Sequence, residues 1–207
     1  MTRSVRVVAD DPSGRREAAD VLAAGGVVAI PTDTVYGIAV AATTAGGVDR
    51  LFAIKERPPD KGIVLLVDAL EQVAPLVRAT PAADALRTLW PGGLTLVLPG
   101  AGEGTIAVRI PDHAAPRTLA RIAGPLPTTS ANLSGAPEAR SAAEVVSALG
   151  ERIDLVVDGG PSPGGVASTV VDCSTEPVRI LRQGSIPADV IATRLRAAGL
   201  PGPSSGG

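Results

Sequence analysis

The stretch VVAIPTDTVYG, residues 27 to 37, gives the clearest indication of the fold. Its first half is an apolar run typical of a short buried strand, and a polar loop follows from Pro31 onward. The preceding segment has helical periodicity, with Ser13 as the expected N-cap and Gly25-Gly26 as the stop after Ala24. A helix that leads directly into a buried strand predicts an αβ unit.

Helical and strand patterns alternate along the rest of the chain. Thr44 is expected to cap a helix that ends at Lys55, and Asp68 to cap a helix over LEQVAPLVRA despite Pro75. Further helices are predicted near residues 81–89, 112–123, 141–149 and 187–198, and further strands at IVLLV, TLVLP, TIAVRI, LPTTS, DLVVDGG, STVVDC and VRILR. We therefore expect an α/β fold, a single domain over residues 1–200 with a twisted, mixed parallel and antiparallel sheet flanked by helices. Residues 201–207, PGPSSGG, are expected to be a disordered tail.

The composition limits the classes of protein to consider. With 207 residues and 45% hydrophobic content, the chain is long enough for a substantial core. A net charge of -2 and a pI near 5.4 argue against a broadly basic surface for nucleic acid. The single cysteine, Cys173, excludes an internal disulfide, and no apolar run approaches the ~18 residues of a membrane span. Because the start also lacks an apolar signal core, we expect a cytoplasmic protein with no membrane partner.

The two lysines of the chain are placed unusually. Against 17 arginines there are only Lys55 and Lys61, and both flank Arg57 in the proline-stiffened segment KERPPDK. Such a segment can hold three cations in place for a phosphate chain, and a lysine supplies a compact ammonium where an arginine supplies a planar fork. A solvated charged loop is the alternative, and on composition alone it is favoured.

Other candidate residues stand at strand ends. PTDTVYG offers hydroxyls, a carboxylate and a phenol, and SANLSG offers small hydroxyls, an amide and backbone N–H groups that suit a phosphate or carboxylate. Thr105, Arg109, Ser168 and Arg182 lie on or near predicted strands. Ordinary turns explain the two loops about equally well, and a structural salt bridge is the simpler explanation for any single arginine.

Several common catalytic motifs are absent from the sequence. It contains no GxxxxGK[ST], GxGxxG, CxxC or HExxH, so a P-loop, a classical dinucleotide site and a thiolate zinc site lack support. The only histidine, His113, is expected near a helix start rather than in a catalytic triad. We predict no protein-held metal site.

Taken in order, seven segments resemble the YrdC/TsaC family of threonylcarbamoyl-AMP synthases: PTDTVYG, KERPPDK, LTLVLP, VRIPDH, TSANLSG, GGPSPGGVASTVVD and ILRQG. Each is weak alone, but their order from about Gly25 to Gly184 is specific. The resemblance implies a curved α/β sheet with a positively charged concave cleft. Because the chain ends shortly after Arg182 and one further helix, we expect the short, single-domain form.

The resemblance also implies an activity. The substrates would be ATP, L-threonine and bicarbonate, with Mg²⁺ on the phosphates, and the products threonylcarbamoyl-AMP and pyrophosphate. The product would pass to the machinery that makes t6A at adenosine 37 of tRNAs reading codons that begin with A. Weak tRNA binding is a further expectation from the resemblance.

The family's site residues carry over by position. The catalytic set would be Lys55, Arg57, Ser130 and Asn132. Residues expected at ATP are Arg57, Lys61, Thr105, Asn132, Arg140 and Arg182. Residues expected at threonine are Thr34, Tyr36, Arg109, Ser130 and Ser168, with Arg109 on the carboxylate. We expect Lys55 and Arg57 to be exposed cleft cations whose removal leaves the fold intact.

Two departures from the family pattern keep alternatives open. Leu66 stands where some longer relatives place a histidine, and Lys61-Gly62 replaces a more usual polar-proline pair. One alternative is a binding module of the same fold for double-stranded RNA or tRNA, with strong salt dependence and little dependence on ATP. Another is a relative that acts on a different small amine or carbamoyl substrate.

Overall fold

The computed structural model describes residues 4–56 and 62–205, which form six α-helices around one sheet. Arg57 and Lys61 lie outside the described residues. The helices are α1 Pro12–Ala23, α2 Gly47–Lys55, α3 Pro81–Leu86, α4 Ala114–Ala123, α5 Ala142–Leu149 and α6 Ala188–Ala197. The strands are β1 Arg6–Ala9, β2 Val28–Ile30, β3 Gly37–Ala39, β4 Val64–Leu66, β5 Leu94–Pro99, β6 Thr105–Arg109, β7 Leu126–Ser130, β8 Leu155–Asp158, β9 Thr169–Asp172, β10 Arg179–Arg182 and β11 Ser204–Ser205.

The sheet confirms the expected mixed α/β architecture. Its strand order is β1-β8-β2-β3-β7-β4-β6-β5-β9-β10-β11. Pairs such as β4–β6 and β5–β9 are parallel, whereas β3–β7, β4–β7 and β5–β6 are antiparallel. Within the described residues, no helix combines the length and apolarity needed to cross a membrane.

Alternating side chains divide the core between the two faces of the sheet. Ala39 packs in one cluster with Leu22 of α1 and Leu119 of α4, while its neighbour Ile38 packs in another with Leu149 of α5. This is the period of two expected when a strand is buried on both sides. A third cluster, under β5, α3 and α6, fills the other half of the sheet. Aliphatic residues therefore supply nearly all of the core.

Two helix starts differ from the sequence prediction. The N-cap of α1 is Asp11 rather than Ser13, because the Asp11 carboxylate accepts hydrogen bonds from the backbone N–H groups of Ser13 and Gly14 at 2.9 and 2.8 Å. Pro12 then occupies the first helical turn, where its missing N–H costs nothing. Helix α2 begins after Gly46 in the left-handed region (φ 67) rather than at Thr44.

The prediction of a helix after Asp68 is wrong. Only a 3-10 turn, Leu70–Gln72, forms there, since Pro75 lacks the N–H that a longer helix would need. The Asp68 carboxylate instead accepts hydrogen bonds from Arg117 and Arg121 of α4 at 2.8 and 3.0 Å. These two arginines lower the pKa of Asp68.

Three short strands escaped the sequence reading, namely β1, β3 and β11. Strand β11 lies in the segment 201–207 that was expected to be disordered. Contrary to that expectation, Ser204 and Ser205 form a strand that pairs with Arg179 and Ile180 of β10. The backbone N–H of Ser204 donates to the carbonyl of Val178 at 2.9 Å.

Candidate functional site

A cleft of about 130 Å³ lies across one face of the sheet, over β3, β4 and β7. Val64 and Leu66 line it at alternate positions of β4, which places them on one face, and Gly62 lines it just before the strand. Candidate residues were expected at strand ends, and the cleft extends from there onto the face of the sheet. The residues that line it are Thr32, Thr34, Val35, Tyr36, Gly37, Gly62, Val64, Leu66, Thr95, Arg109, Thr128, Thr129, Ser130, Glu138, Ala167, Ser168 and Arg182.

Arg109 is the buried cation in one wall of this cleft. It ends β6, is 6% exposed, and donates from Nε to the carbonyl of Gly92 at 2.9 Å. Nη1 donates to Oγ1 of Thr34 at 2.8 Å, and Nη2 donates to Oδ1 of Asp33 at 2.6 Å. Burial lowers the pKa of Arg109, while the charge of Asp33 acts in the opposite direction. The guanidinium is therefore held in one orientation.

The loop between β2 and β3 places Thr34 beside Arg109. The hydroxyl of Thr32 donates to the carbonyl of Val35 at 2.7 Å and accepts from the backbone N–H of Thr34 at 3.1 Å. On the other side, the N–H of Gly165 donates to the carbonyl of Thr34 at 2.8 Å. These local bonds are the turn chemistry that the sequence left as an alternative, and they fix the loop that presents Thr34 to the cleft.

Ser168 and Arg182 form the opposite wall. Nε and Nη2 of Arg182 donate to the carbonyl of Ser168 at 3.1 and 2.9 Å. The Ser168 hydroxyl is buried, 2.8 Å from the hydroxyl of Thr95, which is also buried. Arg182 is thus anchored by its Nε side and directs the rest of an exposed guanidinium at the cleft.

Lys55, Ser130 and Asn132 come together next to the cleft. Nζ of Lys55 donates to the carbonyls of Ser130 and Asn132 at 2.7 and 2.8 Å and contacts Oδ1 of Asn132 at 3.0 Å and Oγ of Ser130 at 3.2 Å. Oγ of Ser130 donates to the same amide oxygen at 2.6 Å. The three residues form one hydrogen-bonded unit at the end of α2 and β7.

The expectation that Lys55 is an exposed cation is wrong. Its side chain ends α2 and is 2% exposed, because the loop after β7 closes over it. Asn132 is fixed as well, since its amide group donates to the carbonyls of Leu133 and Ala136 at 2.9 and 2.7 Å. Of this unit, Ser130 is the member that lines the cleft. Lys55 therefore organises the loop that carries Ser130.

Two residues expected at ATP lie away from the cleft lining. Thr105 is exposed at the start of β6, four residues from Arg109 and so ~13 Å along the strand. Arg140 is also exposed, and its guanidinium packs on Gly165 so closely that a Cβ there would lie 2.6 Å from it. Arg140 thus borders the loop that contains Gly165, whereas Thr105 lies at the opposite end of β6 from Arg109.

Tyr36 shapes the site from below. It is fully buried, and its hydroxyl donates to the carbonyl of Gly160 at 2.7 Å and accepts from the N–H of Gly159 at 3.2 Å. Burial raises the pKa of this phenol. The ring therefore ties the PTDTVYG segment to the glycine-rich loop that begins at Gly159.

Several polar residues of the site were not predicted, among them Asp33, Thr95 and Glu138. Asp33 holds Arg109, Thr95 holds Ser168, and Glu138 brings a carboxylate to the cleft lining. Asp33 lies inside a motif that was singled out, so its position gave a signal. Thr95 also lies in one of the quoted segments, LTLVLP, but its contact with Ser168, 73 residues away, leaves no local pattern. Glu138 had no signal in the sequence.

The residues with other reactive groups lie outside this cleft. His113 is the N-cap of α4, where its Nδ1 accepts from the N–H of Ala115 at 3.2 Å, as expected for a residue at a helix start. Cys173 is buried, and burial raises the pKa of its thiol to about 12. Within 4–56 and 62–205, no three His, Cys, Asp or Glu side chains are grouped as a metal site.

Comparison with known proteins identifies relatives of the chain. The family model Sua5/YciO/YrdC, described as telomere recombination, matches residues 20–184. The threonylcarbamoyl-AMP synthase of Bacillus subtilis is 37% identical over 84% of this chain and 54% of that protein. The putative threonylcarbamoyl-AMP synthase of Mycobacterium tuberculosis is 35% identical over 84% of this chain and 86% of that protein.

A solved structure extends the similarity to three dimensions. P. abyssi Sua5 complexed with L-threonine superposes with a TM-score of 0.87 at 34% identity, over 93% of this chain and 61% of that one. The chain spans about half the length of the first curated relatives it matches, 54% and 55%. The shared part contains every element that builds the cleft.

Proposed function

The chain belongs to the Sua5/YciO/YrdC family, and from that premise we propose that it is a threonylcarbamoyl-AMP synthase. In this reaction L-threonine, bicarbonate and ATP yield threonylcarbamoyl-AMP, pyrophosphate and water, which makes the enzyme a nucleotidyltransferase. The observation that carries the proposal is the convergence of Thr34, Arg109 and Ser168 on one cleft. Relatives that bear the synthase name support it.

The amino acid would lie between the two walls of the cleft. Arg109 is a suitable partner for its carboxylate, because a guanidinium can donate two parallel hydrogen bonds to two oxygens. Thr34, Ser130 and Ser168 supply hydroxyls, and Leu66, Val64 and Val35 supply apolar surface for a methyl group. The complex of P. abyssi Sua5 with L-threonine favours this substrate. Tyr36 would support the pocket from beneath.

ATP would extend from Ser130 toward Arg182. We assign the phosphates to the catalytic set Lys55, Arg57, Ser130 and Asn132, with Lys55 acting through the loop that it holds. The remaining ATP contacts are assigned to Lys61, Thr105, Arg140 and Arg182. Arg109 and Arg182 both line the cleft, and this supports the positively charged surface that the assignment requires.

The chemistry needs no nucleophile from the protein. The threonine amine adds to bicarbonate with loss of water, a carbamate oxygen attacks the α-phosphate, and pyrophosphate leaves. Negative charge gathers on oxygens throughout, so fixed N–H donors and cations at the reacting groups supply the stabilisation. Arg182, anchored through the carbonyl of Ser168, is such a preorganised donor.

Magnesium would enter as MgATP, part of the substrate. Mg²⁺ is commonly held by substrate phosphates and one or two carboxylates rather than by a full protein cage. Glu138 places one carboxylate at the cleft, which fits this mode of binding.

The product would be the substrate of further enzymes. We propose that threonylcarbamoyl-AMP passes to the enzymes that form t6A in tRNA, with at most weak binding of tRNA by this chain itself. Its net charge of -2 is consistent with that division of labour, since tight tRNA binding calls for a basic surface. The reaction would take place in the cytoplasm, where ATP and tRNA are present.

Direct detection of the product tests this proposal. The protein is incubated with MgATP, L-threonine and ¹³C-bicarbonate, and the mixture is analysed by mass spectrometry. We expect an adenylate that carries both threonine and one ¹³C atom. Formation of AMP with no such species would contradict the synthase assignment.

A further inference from the structure

The Asp33–Arg109 ion pair is built into the wall of the cleft but only one partner faces it. Nη2 of Arg109 lies 2.6 Å from Oδ1 of Asp33, and the side chains are 7% and 15% exposed. Arg109 lines the cleft, and Asp33 does not. Asp33 therefore reaches the cleft lining through its ion pair with Arg109.

A count of donors shows what this contact leaves available. Arginine has five N–H groups, and Arg109 donates one from Nε to Gly92, one from Nη1 to Thr34 and one from Nη2 to Asp33. Among the described residues these are its hydrogen bonds, so one N–H on each terminal nitrogen has no partner there. Two N–H groups on different nitrogens are what a carboxylate needs for a bidentate contact.

Asp33 is the charged member of this set of acceptors. The carbonyl of Gly92 and the hydroxyl of Thr34 are neutral, whereas the carboxylate of Asp33 compensates the buried positive charge. The nearby charge of Arg182 and burial both disfavour the cation, and Asp33 opposes them. Without Asp33, Arg109 would keep its contacts with Gly92 and Thr34 but would lose the charged contact that fixes Nη2.

Asp33 itself cannot shift easily. A Cβ on Gly164 would lie only 2.5 Å from the carbonyl oxygen of Asp33, so the glycine-rich loop packs directly against its backbone. On the next residue, the carbonyl of Thr34 accepts from the N–H of Gly165 at 2.8 Å. The carboxylate is thus held from behind while it holds Arg109.

We propose that Asp33 is a positioning residue for the substrate carboxylate: it orients the two unpaired N–H groups of Arg109 toward the cleft and so sets the preference for a free carboxylate over a neutral group at that position. The proposal rests on the proposed function, because it requires an amino acid in the cleft. It assigns to Asp33 a role in specificity that a purely structural ion pair would not have.

The test is direct binding of L-threonine and of L-threoninamide, in which an amide replaces the carboxylate, measured by isothermal titration calorimetry. Wild-type protein, Asp33→Asn and Asp10→Asn are compared. Asp10 provides the matched control, because it pairs with Arg15 at 2.6 Å with exposures of 12% and 20%, and neither residue lines the cleft.

We expect wild-type protein and Asp10→Asn to bind L-threonine in preference to the amide. Asp33→Asn should bind L-threonine about tenfold more weakly, because a charge-assisted contact that fixes the fork is lost, with a smaller change for the amide. An unchanged preference in Asp33→Asn would overturn the proposal. So would tighter binding of L-threonine, which would make Asp33 a competitor for Arg109 rather than its support.

A second variant covers a failure of Asp33→Asn to fold. Asp33→Glu keeps the charge but its extra methylene displaces the fork, so it should lose part of the preference for the acid. A full preference in a folded Asp33→Glu protein would contradict the proposal. Pyrophosphate release by the wild-type protein is measured in parallel, and its absence counts against the synthase activity, whereas the binding comparison decides the role of Asp33 without turnover.

Discussion

At the scale of single residues, Lys55 at the end of α2 is a buried, hydrogen-bonded cation rather than a surface one. Lys55 gives its ammonium to four oxygens of Ser130 and Asn132, all within 3.2 Å. Its absence would leave buried acceptors without a donor, which costs about 1–3 kcal/mol. Lys55 therefore couples the stability of the protein to the placement of Ser130.

Replacement of Lys55 tests this coupling. Lys55→Ala should lose about 1–3 kcal/mol of unfolding free energy in urea, together with most of the synthase activity. Arg87→Ala is the control, since Arg87 is 55% exposed in its pair with Asp84, and it should change stability by no more than about 0.5 kcal/mol. A Lys55→Ala protein as stable as wild type would show that the buried network contributes nothing.

Replacement of Arg109 by lysine distinguishes the effect of the positive charge from that of the guanidinium fork. Arg109→Lys keeps a cation beside Asp33 but removes the fork, so the KM for threonine should rise about tenfold while the KM for ATP changes by less than about threefold. Initial rates of pyrophosphate release, with each substrate varied in turn, give both constants. Equal increases in the two KM values would contradict the assignment of Arg109 to the amino-acid carboxylate.

The residue scale also shows where the sequence was informative. Thr34, Arg109 and Ser168 were predicted at threonine and Arg182 at ATP, and all four line one cleft. The burial of Lys55 could not be predicted, because it depends on a loop 75 residues away that closes over the side chain. Hydrogen-bond partners so distant in sequence leave no local pattern.

At the scale of elements, the turn before α6 holds the Ser168 wall in place. A Cβ at Gly184 would lie 2.5 Å from the carbonyl oxygen of Ser168, the same oxygen that anchors Arg182. Because backbone rather than a flexible side chain fills that space, this position requires glycine. The glycine of the ILRQG segment is therefore required by the close packing of this wall of the cleft.

An alanine at this turn should disturb both packing and site. Gly184→Ala is expected to cost about 1–3 kcal/mol of unfolding free energy and to weaken the binding of substrates, because Ser168 and Arg182 must move apart. Gly102→Ala is the matched control, since nothing lies within 4 Å of its added Cβ. Normal stability in Gly184→Ala would mean that the backbone there relaxes freely.

The N-terminus of α4 provides a pH-dependent contribution to stability. Neutral His113 accepts from the N–H of Ala115, whereas a protonated ring cannot accept and places positive charge at a helix N-terminus. Burial lowers the pKa of His113 below its ordinary 6.5. As the pH falls, His113 becomes protonated in the unfolded chain at a higher pH than in the folded protein. The contribution of His113 to the unfolding free energy is therefore fully present above pH ~6.5 and is lost as the pH drops below that value.

Asparagine is a good N-cap that does not titrate, so His113→Asn should flatten this dependence. Unfolding free energies in urea at pH ~7.5 and ~5.5 measure it, in a range where His113 is the only histidine of the chain. Asp68, whose pKa is lowered from 3.8, stays ionised at both pH values and does not affect this comparison. The same loss of stability in wild type and His113→Asn between these pH values would contradict the role of His113.

Element types were predicted better than their starts. Strands such as β5 and β7 were recognised because apolar, β-branched runs are local signals. The helix expected after Asp68 failed because Pro75 and the pairing of Asp68 with Arg117 and Arg121 outweighed its periodicity. Strand β3 was missed because it begins at a glycine directly after a polar loop, and glycine is a weak signal for a strand.

At the scale of the whole molecule, the strand order is what creates the site. Antiparallel pairing of β3 and β4 with β7, together with parallel pairing of β4 with β6, brings the ends of distant segments to one face. The sequence indicated a mixed sheet but not this order, because cross-strand partners are chosen by the tertiary structure. The order explains how a chain without a common nucleotide-binding motif can form a cleft lined by hydroxyls and two arginines.

The most direct test of the central claim is pyrophosphate release from MgATP by the wild-type protein, measured with all substrates and with each omitted in turn. We expect release that requires both L-threonine and bicarbonate. It should fall strongly when L-serine replaces L-threonine, because serine lacks the methyl group that contacts the apolar lining. Folded protein that releases no pyrophosphate under any of these conditions, or that releases it without an amino acid, would contradict the synthase assignment and favour an RNA-binding module or a different substrate.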